Sequence, residues 1–171
     1  MPEETITQIS SIVQNTQYFT WDVLVIVGFT LLSLAYFFTL GRDYVIAAIV
    51  AGYLAAFFML AVPYINSIKA LIKSSDSLSS LVVFFVFFLV IFLILKWNGF
   101  FEPYVVPTGF ELVIFGLVFS GLMTVIITTF LSGEIINSIS PISRLIFFGD
   151  IARTSWLLAP VGLLVLFRGE T

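Results

Sequence analysis

The sequence has no cysteine and no histidine. Disulfides, thiolate metal sites and cysteine nucleophiles are thereby excluded. So are imidazole acid–base catalysis and imidazole metal ligation. Charge is scarce as well. Asp, Glu, Lys and Arg make up 10% of 171 residues, against about 25% in an ordinary soluble domain. The net charge is −3 and there is no basic tract, so nucleic acid is not an expected partner. A phosphate-cradling glycine loop and a serine-nucleophile motif are both missing. No two carboxylates fall at helical spacing inside an apolar run. The expectation is a protein that is not an enzyme, with no catalytic residue, no metal ligand and no cofactor.

What is abundant is apolar surface, at 60% of the residues. With no sheet-like alternation, the predicted fold class is all-α. It is a polytopic transmembrane helical bundle of four spans plus a fifth span or half-span, with short interfacial helices, in a single membrane domain covering 1–171. The stretch 44–64 organises it. It carries no formal charge, and as a helix it would be about 31 Å long, enough to cross a bilayer core. Ala47, Ala51 and Ala55 recur every four residues, as do Ala48, Gly52 and Ala56. Lipid tails are as apolar as leucine, so helices in a membrane associate through close contact, which small residues permit. This helix is placed at the centre of the bundle.

The remaining segments follow in order. Residues 1–17 read as an interfacial helix, with Ile6, Ile9, Ile12 and Val13 on one face and Pro2, Glu3 and Glu4 at its start. The first span is 21–40, with Tyr18 and Trp21 in an interfacial belt and Asp22 at the solvated rim. The turn Gly41–Arg42–Asp43 forces an antiparallel hairpin onto span two, which Pro63 ends. Residues 65–76 form a second interfacial helix, with Lys69 and Lys73 reaching toward headgroups. Span three, 78–95, is rich in large aromatic and branched residues and faces lipid. Span four, 109–131, carries a second small patch, Gly116, Ser120 and Gly121, the expected partner of the ridges on span two. Thr124, Thr128 and Thr129 return their hydroxyls to its backbone. The stretch around Pro141 reads as a loop or re-entrant segment, and 145–167 as a fifth span or a half-span kinked near Pro160. Lysines and arginines do not fix the orientation. Arg42, Lys96 and Arg168 fall on one side, and Lys69, Lys73, Arg144 and Arg153 on the other.

Few polar residues lie near membrane depth. Arg42 and Glu111 share one side of the bilayer and form a candidate pair across the bundle, with interfacial solvation as the plainer reading. Asp150 and Arg153, at i,i+3, form a second candidate pair, read first as structural. Tyr36 and Tyr53 are mid-span phenols, read as bundle glue ahead of a polar path.

The chain resembles the colicin V production protein (CvpA-like) family of bacterial inner-membrane proteins over roughly residues 20–131. The resemblance is carried by Trp21–Asp22, the Gly41–Arg42 turn, the aromatic and alanine-rich helix ending at Pro63–Tyr64, and Glu111, Gly116 and Gly121 in span four. The chain departs from that pattern in three ways. Leu112 stands where a basic residue would follow Glu111, the glycines are five apart rather than four, and the apolar tail from Trp156 is additional. The resemblance implies a multi-pass protein of the bacterial cytoplasmic membrane, with a role in envelope homeostasis or in supporting export. The expected function is that of an accessory or scaffold protein, a homo-oligomer or bound to a larger membrane partner, in contact with membrane lipids. The alternative is a small channel or transporter subunit, with Tyr36, Tyr53, Asp150 and Arg153 along its path.

Overall fold

The computed structural model of the chain describes residues 21–41, 44–72, 74–98 and 109–166. The helix expected at 1–17, and Arg42, lie outside these. Among the described residues there is no strand, and eight α-helices follow in order. They are α1 (Trp21–Tyr36), α2 (Val45–Ala61), α3 (Ile65–Leu71), α4 (Asp76–Trp97), α5 (Gly109–Thr129), α6 (Gly133–Asn137), α7 (Pro141–Phe147) and α8 (Asp150–Leu166). A π-helical turn, Phe37–Gly41, extends α1.

Local chemistry sets the ends. Pro63 follows the extended Val62 and stops α2, and α3 then departs at 98°. Ser75 caps α4 by accepting from the Leu78 amide at 3.4 Å. Asp76 in its first turn and Lys96 in its last complement the helix dipole. α5 opens on Gly109, whose φ of +47° lies in the left-handed region that suits glycine. Ser140 caps α7 by accepting from the Ser143 amide at 3.3 Å, with Pro141 in the first turn.

Three helices are long and apolar enough to cross a membrane: α1 with its π turn, α4 and α5. Up to five crossings result if each bent pair, α2–α3 and α7–α8, is one span. The four separate spans expected from hydropathy are therefore more than these helices establish. α2 ends at Ala61, and α7 and α8 meet at 54°. The stretch around Pro141, expected as a loop or re-entrant segment, contains two short helices, α6 and α7, and the Ser140–Pro141 pair starts α7.

The hub is α5. It packs against α1, α2, α7 and α8, and 11 of its 21 residues are buried. α2 is wedged between α4 and α5, its Ala47, Ala48, Ala51, Gly52 and Ala55 buried and Ala56 half-buried. α4 lies along α2 and buries only Ser79, Ser80, Val83 and Phe84. α5 touches more helices than the alanine-rich α2 does, while α2 is buried to the same extent, with 9 of its 17 residues enclosed.

Candidate functional site

The small residues of α5 receive different neighbours from the one the sequence suggests. A Cβ on Gly121 would lie 2.2 Å from the Trp156 ring of α8. A Cβ on Gly116 would lie 2.5 Å from Leu34 Cδ2 of α1. Gly52 of α2 faces α5, but at Met123, whose Sδ would sit 3.2 Å from an added Cβ. Large side chains thus seat against the glycines of both small patches. Ser120 pairs instead with α1, its hydroxyl 2.6 Å from Thr30 Oγ1. Thr30 donates its one hydrogen to the Ile26 carbonyl at 2.8 Å, so Ser120 is the donor in that pair. Thr124, Thr128 and Thr129 donate to carbonyls of their own helix.

α8 is pinned by two further bonds. Trp156 Nε1 donates to the Ile146 carbonyl at 3.0 Å, and its ring stacks on Phe147. That carbonyl lies in the last turn of α7, where helix acceptors lack partners. The Tyr53 hydroxyl of α2 donates to the Leu157 carbonyl. Pro160 withholds a helix donor from the Trp156 carbonyl, four residues before it and next to this acceptor.

Asp22 is buried at 6% exposure rather than solvated at the rim. Its Oδ2 accepts from the Ser140 amide at 3.2 Å and the Ser140 hydroxyl at 2.9 Å, tying the start of α1 to the start of α7. Its Oδ1 is enclosed and has no donor among the described residues. Ser140 was legible only through its Ser–Pro sequence, which marks a helix start. Its partner, more than a hundred residues away, has no local signal.

The candidate pairs are arranged as follows. Glu111 is half-buried in the first turn of α5, and its pairing with Arg42 falls outside the described residues. No ion pair joins Asp150 to Arg153. Asp150 is exposed, while the Arg153 guanidinium stands 5.7 Å from the Phe148 ring centroid, with Nε enclosed and without a partner among the described residues. Tyr36 is 37% exposed and its ring packs edge-on against Phe37.

α1 and α4 face each other across α5 without packing closely, and a trough lies between them. Its middle part, about 280 Å³, is walled by Asp22, Phe29, Phe85, Thr124 and Ile127 among others. Its inner part, about 400 Å³, shares Phe29 and Phe85 and continues past Tyr36, Phe88 and Phe92. Phe119 of α5 floors it, with ring centroids 5.3 Å from Phe37 and 6.4 Å from Phe88. Tyr53, Asp150 and Arg153 are not among the residues lining either part. Among the described residues, no group of three or more carboxylates could hold a metal ion.

Comparison with family models, with curated proteins and with solved structures finds no match to this chain. The class that the fold defines is an all-helical bundle with several long apolar helices, compatible with a multi-pass membrane protein.

Proposed function

We propose that the chain is a non-enzymatic accessory or scaffold protein of the bacterial cytoplasmic membrane, with four or five crossings, acting with a second copy or a larger membrane partner. One observation carries the reading: polar side chains within the apolar bundle fasten helices to each other. Ser120 holds Thr30, Tyr53 holds the Leu157 carbonyl, and Trp156 holds that of Ile146. Intramembrane polar groups of a conducting protein would be expected to face an aqueous path instead. Outward-facing Leu24, Leu31, Leu158 and Val165 leave ample apolar surface for lipid or a partner. The resemblance to the colicin V production family, carried by Trp21–Asp22, Gly41–Arg42 and Pro63–Tyr64, supports a role in envelope homeostasis or export.

The trough beside the buried Asp22 favours a second reading, a small transporter or channel subunit. Reconstitution into liposomes separates the two. A scaffold gives proton and potassium flux equal to that of protein-free vesicles, and gives oligomers on chemical cross-linking in the bilayer. Flux above that background, lost on Asp22→Ala with the oligomer intact, replaces the scaffold with the transporter.

A further inference from the structure

We propose that the trough between α1 and α4 binds one acyl chain of a bilayer phospholipid, with the lipid phosphate seated at the mouth beside Lys69. This goes beyond the scaffold reading and needs only that the bundle lies in a bilayer.

The mouth is a third cavity, about 730 Å³, sharing Leu131 and Ile135 with the middle of the trough. It lies where α4 begins and α5 ends, at one end of the bundle. Its chemistry differs from that of the trough. Lys69 lines it, with its side chain 19% exposed. The partner of Lys69 is Asp76, 3.9 Å away and 91% exposed, a long contact to a solvated carboxylate. Ser75, Ser77 and Ser132 also line the mouth. Ser79, Ser80 and Thr129 donate to backbone carbonyls. Ser75 accepts from the Leu78 amide, and its own hydrogen donates to no described residue, nor do those of Ser77 and Ser132. A cation with hydroxyl donors around it is a phosphate-binding arrangement, and phosphate would displace Asp76 from Lys69. The Asp22 carboxylate, further in, repels an anion and keeps the phosphate at the mouth.

Below the mouth the walls turn apolar. From Leu131 to Phe119 the trough follows α5 for about 18 Å, against about 15 Å for one leaflet of a hydrocarbon core. Both ends therefore match one amphiphile: an anionic head at the interface and a tail of leaflet length below it.

The test uses the full unmodified chain in liposomes with a phosphatidylglycerol carrying a photoactivatable diazirine midway along one tail. After illumination, adducts are mapped by mass spectrometry. Adducts on Phe29, Phe85 and Leu89 should exceed those on the outward-facing Leu31 and Leu60 at least fivefold. Lys69→Gln should lower the trough adducts severalfold, and leave adducts from a diacylglycerol bearing the same diazirine unchanged. Val25→Trp, which fills the trough from a position 59% exposed, should abolish both. Adducts spread evenly over inner and outer faces would overturn the site, as would trough adducts only after removal of residues 1–17. Equal loss of both probes on Lys69→Gln would overturn the phosphate seat.

Discussion

Replacing Gly121 with alanine probes the packing at its tightest point. The added methyl would stand 2.2 Å from Cε3 and Cζ3 of Trp156, against about 3.5–4.0 Å for carbons in contact. The indole is a rigid plate and cannot rotate a terminal methyl aside. It is also held by its 3.0 Å bond to the Ile146 carbonyl and its stack on Phe147. α8 must therefore retreat by about 1.5 Å, which breaks that bond. Overpacking of this kind costs about 1–3 kcal/mol, and the lost bond about 0.5–1.5 kcal/mol. The sum, about 1.5–4.5 kcal/mol, lowers the apparent Tm by about 3–18 °C for a chain of this size. The assay is thermal unfolding in detergent in a Trp21→Phe, Trp97→Phe background, where Trp156 alone reports through its emission. Trp156→Leu should recover most of the loss. An alanine variant with unchanged Tm and unchanged Trp156 emission would refute the reasoning.

Further expectations follow from the same contacts. Gly116→Ala should cost about 1 kcal/mol or less, because the clashing atom is the end of the flexible Leu34 side chain; a Tm loss matching that of Gly121→Ala would count against the rigid-plate argument. Tyr53→Phe should cost about 0.6–1.7 kcal/mol; an unchanged Tm would remove the α2–α8 tie. Asp22→Ala should speed amide hydrogen exchange across Ser140–Arg144 and leave α4 unchanged; an unaltered pattern would remove the α1–α7 tie.

The sequence reveals positions of close approach more readily than their occupants. Small residues at Ala47, Ala51, Gly52, Gly116 and Gly121 identify where a helix surface is notched, since spacing alone sets which residues share a face. What fills a notch depends on the shape of side chains far along the chain. Trp156 fits Gly121 and Leu34 fits Gly116, so the glycines of α5 receive α8 and α1, while Gly52 on the α2 ridge receives Met123 of α5. Helix ends were legible where the signal is local, as at Pro63. The burial of Asp22 was not, because a carboxylate at the head of an apolar run reads as solvated. Only the distant Ser140 amide and hydroxyl bring it inside. The trough has no sequence signature either, arising from the separation of α1 and α4 across α5.

The most direct measurement exploits the absence of cysteine. Single cysteines at Ser75, Asn98 and Ser138 are treated with a membrane-impermeant thiol reagent on right-side-out and inverted vesicles. Ser75 caps the start of α4, Asn98 its end, and Ser138 the end of α6. With α4 and α5 crossing the bilayer in opposite directions, Ser75 and Ser138 react from one side and Asn98 from the other. Labelling of Ser75 and Asn98 from the same side would contradict a bundle that spans the membrane around α5.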